Sequence, residues 1–223
     1  MTDHALAHDI IDAARALAPA GLGVGTAGNV SARHGDGFLI TLSGMPYESL
    51  APDMLVHVLP DGTYDAALCD GDLKPSSEWR FHLDIYAARP DAGAVVHCHS
   101  SHATALACLQ RGIPAFHYMV AVAGGVDIRC ANYATFGTQA LSDAVLAALD
   151  GRTACLMANH GQVAVGVDVA AAFALAQEVE ELARQYLLAL QAGDPVLLSE
   201  EDMAEVLQRF KTYGAGKGTS DAG

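Results

Sequence analysis

Two histidines separated by one residue, His97 and His99, are the groups best placed to do chemistry. They sit in Val95-Val96-His97-Cys98-His99-Ser100-Ser101-His102. The small, β-branched run from Gly93 to Cys98 follows Pro90-Asp91 and predicts a turn into a buried strand. Side chains alternate faces along a strand, so His97 and His99 point one way and Cys98 the other. Their Cα atoms then stand about 6.7 Å apart. At that spacing both imidazoles can lean onto one metal ion through bonds of about 2.0–2.1 Å. The stretch alone also fits a pair of polar strand-end histidines bonded to backbone or water.

Other positions supply what a metal site on a phosphorylated substrate needs. His160 precedes Gly161 at a tight strand junction, where it can be a third ligand or an ordinary turn residue. Three histidines would leave an open coordination position, the mark of a catalytic metal. Lys74-Pro75-Ser76-Ser77-Glu78 opens a segment with helical character. Its serines can cap the helix, or, with the free N–H groups of a helix start, hold a phosphate. Glu78 would then stand at the mouth of that site as a carboxylate base. The loops Gly25–Arg33 and Ser43-Gly44 are rich in glycine, hydroxyl and amide groups, materials for an anion nest or for two turns. His102 lies off the face shared by His97 and His99 and is expected to support or cap rather than ligate.

The elements that must position these groups alternate along the chain. Leu6, Ile10, Ala13 or Ala14, and Leu17 form one stripe of a helix over 3–19. The Gly25–Arg33 loop runs into a short strand, Asp36-Gly37 signals a hairpin, and strands follow at 38–42 and 54–59. A helix is expected from the 74–78 segment to about Ala88, ending before Pro90. After the histidine strand come a helix over 102–109, a strand over 128–131 and a helix over 138–149. A strand over 153–157 returns through 162–165. A long helix spans 169–192, and Ser199 caps a last helix to about Tyr213. No repeat or linker divides the 223 residues, so one domain over 1–223 is expected, with 214–223 a loose tail.

Composition narrows the partners. Net charge is −14, from 12 basic and 26 acidic residues, which argues against nucleic acid or an anionic membrane. No apolar run approaches the roughly 18 residues that span a bilayer, and the N-terminus lacks the pattern of a signal peptide. Five scattered cysteines with no CxxC pair suit reduced thiols in a cytoplasm. Apolar residues make up 52%, a surplus that sister subunits could cover.

Seven motifs, GTAGNVSAR, ITLSG, KPSSEWRFH, AVVHCHSSH, HYM, YATFG and NHG, occur in the order seen in class II sugar-phosphate aldolases, and nearly the whole chain resembles that family. The resemblance is nearest to the L-fuculose-1-phosphate aldolase branch. It implies an α/β fold, a three-layer α/β/α sandwich with a mainly antiparallel central sheet, assembled as a C4 homotetramer with active sites at subunit interfaces. Residue by residue, it makes His97, His99 and His160 the ligands of one zinc ion per chain. It makes Glu78 the proton-transferring carboxylate, able also to ligate the resting metal. It gives Asn29, Ser43, Gly44, Ser76 and Ser77 to the substrate phosphate. Tyr118, reaching in from a neighbouring subunit, would handle the proton at the aldehyde oxygen, and Phe136 and Tyr213 would stand near the aldehyde end. Ser43 occupies a position that is Thr in many relatives, and a Lys-Pro pair precedes the two serines; neither departure removes a hydroxyl or a ligand. The implied reaction cleaves L-fuculose 1-phosphate reversibly to dihydroxyacetone phosphate and L-lactaldehyde. The same resemblance admits 5-deoxyribulose or 5-methylthioribulose 1-phosphate as substrate, a sugar-phosphate epimerase or dehydratase, or a non-catalytic adducin-like interaction module.

Overall fold

The computed structural model describes residues 3–64 and 74–210. Cys69, Tyr213 and the tail expected over 214–223 lie outside these residues. Seven strands form one sheet: β1 (Asn29–His34), β2 (Gly37–Ile40), β3 (Val56–Val58), β4 (Ala94–Cys98), β5 (Arg129–Ala131), β6 (Ala154–Met157) and β7 (Gly161–Gly166). Their order across the sheet is β3-β2-β1-β4-β7-β6-β5, and every pairing is antiparallel except β5 with β6. The sheet is thus mainly antiparallel, as the resemblance implies.

Helices cover both faces, giving three layers. On one side lie α1 (Asp3–Ala16), α3 (Ser101–Cys108) and α5 (Val169–Ala192), packed on one another and on β1, β4, β6 and β7. On the other, α2 (Trp79–Ala88) packs on α4 (Gln139–Ala148), which lies over β5 and β6. The last helix, α6 (Glu200–Phe210), rests on a 3₁₀ segment, Tyr118–Ala123. Along α5 the buried residues are Val169, Ala172, Leu175, Ala176, Val179, Leu182, Ala183 and Tyr186, a stripe at helical spacing. Each fully buried Val or Leu there contributes about 1.5–3 kcal/mol, while the alanines let the helix lie close to β4 and β7. Asp168 starts α5 by accepting the Ala171 N–H at 2.7 Å.

Central strands β4, β6 and β7 are buried on both faces because helices cover both. Alternation decides which groups meet the site. Asn29 pairs with His97 and Ser31 with Val95, so these side chains share the face under α2. Val30, Val96 and Cys98 face the opposite layer.

Two local expectations shift. The first hairpin turns at Gly35-Asp36, since His34 pairs with Gly37. Gly35 takes the left-handed φ of 56° that such a turn demands, and a Cβ on Gly37 would stand 2.0 Å from the Val58 carbonyl oxygen. The second helix begins only at Trp79, with Glu78, not a serine, at its N-cap. Pro75 restrains Lys74 to extended backbone. The Lys74–Ser76 stretch instead bonds alongside β2's extension, through Ser43 N–H to Lys74 O and Ser76 N–H to Thr41 O. That detour carries both serines and Glu78 to the end of the sheet where the histidines lie.

Candidate metal centre and substrate cleft

Three elements bring four ligand groups together. His97 stands on β4, and His99 follows one residue beyond its end. His160 lies in the three-residue turn between β6 and β7, and Glu78 caps α2. The turn fits because Asn159 takes a left-handed φ of 56° and Gly161 presses against β4. A Cβ on Gly161 would stand 2.4 Å from the Cys98 carbonyl oxygen and 2.9 Å from His99 Cδ2.

The ligand atoms of Glu78, His97, His99 and His160 all lie within 4.8 Å of one another. His97 Nε2 is 3.0 Å from His99 Nε2 and 3.1 Å from Glu78 Oε2, and His160 Nε2 is 3.1 Å from Glu78 Oε1. A tetrahedron built on bonds of about 2.05 Å has edges of about 3.3 Å. His97 Nδ1–H donates to the Gln162 carbonyl at 2.8 Å, which turns the bare Nε2 toward the other ligands. Buried Glu78 Oε1 has no hydrogen-bond donor aimed at it. Converging lone pairs and an orphaned carboxylate oxygen are what a divalent cation satisfies. The residues present therefore fit a metal ion, and nitrogen-rich ligands with one carboxylate suit zinc among others.

The electrostatics agree. Burial works against the Glu78 carboxylate, but His97 and His160 outweigh it and hold its pKa far below the usual carboxylate range. Burial likewise works against a charged His97, and Glu78 overcomes it and raises the imidazole. Burial, followed by the neighbouring His97 and His160, pushes His99 down to about 4, so its nitrogen stays free to ligate near neutrality. His102 takes no part. Its Nδ1–H donates to Glu180 at 2.7 Å, and Glu180 also accepts the N–H groups of His102 and Ala103, capping α3 from α5.

Beside the quartet opens a cleft of about 340 Å³, lined by Thr26, Ala27, Gly28, Asn29, Leu42, Ser43, Gly44, Ser76, Ser77, Glu78, His99, Tyr133, Ala134, Phe136, Asn159 and His160. All five positions expected at a phosphate are in this wall. Ser43, Gly44 and Ser77 are exposed, whereas Asn29 and Ser76 are buried behind them. Asn29 donates to Ser76 Oγ at 3.0 Å and to Glu78 Oε2 at 3.1 Å. Phe136 stands exposed at the rim. Tyr118 is half-exposed on its 3₁₀ segment, stacked on His117, and is not part of this chain's cleft wall. Tyr133 and Asn159 also line the cleft, although the sequence reading gave them no role. Their signal was their place inside the YATFG and NHG motifs.

A mainly antiparallel α/β/α sandwich with a histidine and glutamate quartet, able to hold a metal ion, at the mouth of a cleft is an architecture of the class II aldolase type. The sequence profile of the class II aldolase and adducin N-terminal domain matches residues 8–187, and the chain belongs to that family. It is 56% identical over 210 residues to a 5-methylthioribulose-1-phosphate/5-deoxyribulose-1-phosphate aldolase of Rhodospirillum rubrum, covering 94% of this chain and 93% of that one. It is 51% identical over 215 residues to the L-fuculose phosphate aldolase of Escherichia coli K12, covering 96% and 98%. Among solved structures, an L-fuculose 1-phosphate aldolase superimposes with a TM-score of 0.89 at 38% identity, covering 95% of this chain and 98% of that one.

Proposed function

We propose that the chain is a single-domain, zinc-dependent aldolase. It cleaves a ketose 1-phosphate reversibly between C3 and C4, releasing dihydroxyacetone phosphate and a short aldehyde. The observation that carries the reading is the Glu78, His97, His99 and His160 quartet opening directly onto the wall formed by Asn29, Ser43, Gly44, Ser76 and Ser77. Among the described residues, the wall contains neither Lys nor Arg. Backbone N–H groups of the Ser43-Gly44 turn and of the approach to α2, with the hydroxyls of Ser43 and Ser77, therefore receive the phosphate.

A divalent cation on the quartet supplies the Lewis acidity that stabilises the negative charge left on the three-carbon fragment. Glu78 holds the proton that returns to C3, and its nearness to both Ser76 and the histidines sets that proton beside the phosphate-bearing half. Tyr118 of a neighbouring subunit gives or takes the proton at the aldehyde oxygen. A phenol hydroxyl suits a donor to a developing alkoxide. The exposure of Tyr118 and of Phe136 supports a C4 homotetramer whose clefts are completed across subunit boundaries. Exposed Leu109 and Val167 support burial against sister chains.

L-Fuculose 1-phosphate is one candidate substrate, supported by 51% identity to an enzyme of that name. The R. rubrum relative, 56% identical, supports 5-methylthioribulose or 5-deoxyribulose 1-phosphate equally. The three share a terminal carbon without a hydroxyl, which suits the aromatic rim of Tyr133 and Phe136. Free thiols at Cys98, Cys108, Cys130 and Cys155 support a cytoplasmic setting, and no helix among the described residues is long and apolar enough to cross a membrane. Turnover of the three ketose 1-phosphates by zinc-loaded protein, ranked by kcat/KM, tests the reading. Release of dihydroxyacetone phosphate from at least one is expected. An epimerised or dehydrated sugar phosphate without cleavage would replace the aldolase by the other reactions of this scaffold.

A further inference from the structure

Behind the quartet, a file of buried polar groups runs from Tyr86 to Glu78. The Tyr86 hydroxyl is 2.8 Å from Ser31 Oγ, Ser31 Oγ is 2.7 Å from His82 Nδ1, and His82 Nε2 is 2.6 Å from Asn29 Oδ1. Asn29 Nδ2 then reaches Glu78 Oε2 and Ser76 Oγ. Every member is almost completely buried, His82 entirely so.

The ionised carboxylate of Glu78 gives the file one direction. A carboxylate only accepts, so Asn29 must present Nδ2–H to it and Oδ1 to His82. His82 must therefore donate through Nε2–H. Burial, reinforced by His97, pushes His82 down to about 3, so the ring is neutral and its Nδ1 accepts from the Ser31 hydroxyl. Ser31 in turn accepts from Tyr86.

We infer that His82 is a positioning residue that, by clamping the Asn29 amide, fixes Glu78 Oε2 and Ser76 Oγ relative to the metal centre and the phosphate wall. Without the Nε2–H donor, buried Asn29 Oδ1 is left unpaired, and the amide that donates to Glu78 and Ser76 is held at one end only. Asn29 itself then serves as a linker between the carboxylate and a rigid ring packed against Phe81 and Phe38. The kinetic consequence rests on the proposed role of Glu78; the geometry does not.

Two measurements decide it. In protein carrying ¹⁵N-histidine, His82 should show a protonated Nε2 and an unprotonated Nδ1. The opposite tautomer, or an imidazolium near neutral pH, would overturn the inference whether or not the chain cleaves any ketose phosphate. Variants then separate donor from filler, because a glutamine amide nitrogen reaches the position of imidazole Nε2 and an asparagine reaches only Nδ1. His82→Gln should keep kcat within about threefold of the parent, and His82→Asn should lose about 10–100-fold, the usual cost of removing a group that orients a ligand. Equal kcat losses in the two variants, or losses that track their thermal midpoints instead of the donor, would show His82 to be structural.

Discussion

His82 predicts a pH dependence of stability whose size follows from its burial. The ordinary imidazole value of 6.5 falls to about 3 in the folded chain, mainly because the charged ring would have to leave water completely. Between those values the unfolded chain binds a proton that the folded chain refuses, so stability rises with pH through the window. The contribution is fully present above about pH 6.5 and lost as pH falls toward 3. At about 1.36 kcal/mol per unit, the whole shift amounts to about 5 kcal/mol, of which about 2 kcal/mol is lost between pH 7 and pH 5. His82→Gln cannot titrate and should escape that loss. Urea unfolding of parent and variant at pH 7 and pH 5, at one protein concentration, provides the comparison. The parent should lose about 2 kcal/mol more than the variant, and the difference cancels contributions from the other carboxylates and histidines. Equal losses in parent and variant would mean that His82 is hydrated or already charged, and the directed file of hydrogen bonds would fail with it.

Three further outcomes are expected. Protein loaded with zinc should carry close to one ion per chain by elemental analysis, and His97→Ala or His160→Ala should lose it, whereas retention in both would remove the quartet as the metal site. Glu78→Gln should bind inorganic phosphate normally while cleavage falls by about 10²–10⁴-fold, the worth of a positioned proton-transfer group. Unchanged turnover would reduce Glu78 to a helix-cap residue. Tyr118→Phe should keep metal and the parent's oligomeric state and still exchange the C3 proton of dihydroxyacetone phosphate with solvent, yet cleave the ketose phosphate much more slowly; equal loss of exchange and cleavage would refute the division of labour between Tyr118 and Glu78.

Much of the frame is legible in local pattern. The α5 boundaries, Val169 and Ala192, follow from an unbroken apolar stripe between Asp168 and Gly193. The alternation of His97, Cys98 and His99 likewise follows from strand geometry, and the two rings do meet. Nearest-neighbour signals mislead where a long-range bond intervenes. Ser76 and Ser77 look like helix caps, but pairing with Thr41 and Ser43 keeps Lys74–Ser76 extended and hands the N-cap to Glu78. Gly37 seems the natural turn glycine until β3 is seen pressed against it. The least legible part is the buried file. Ser31, His82 and Tyr86 are 51 or more positions apart across strand and helix, except for the one helical turn joining His82 to Tyr86. No spacing rule links a strand serine to a helix histidine, since only the α2–sheet packing brings them together.

The central claim is that this quartet, loaded with a divalent cation, breaks a carbon–carbon bond. The direct test is dihydroxyacetone phosphate release from L-fuculose 1-phosphate, 5-deoxyribulose 1-phosphate and 5-methylthioribulose 1-phosphate by one preparation, stripped by chelator and then reloaded with zinc. Cleavage of at least one substrate should vanish on stripping and return on reloading, with none restored in His97→Ala. Cleavage that persists in the stripped protein, or that zinc restores equally in His97→Ala, would contradict the account.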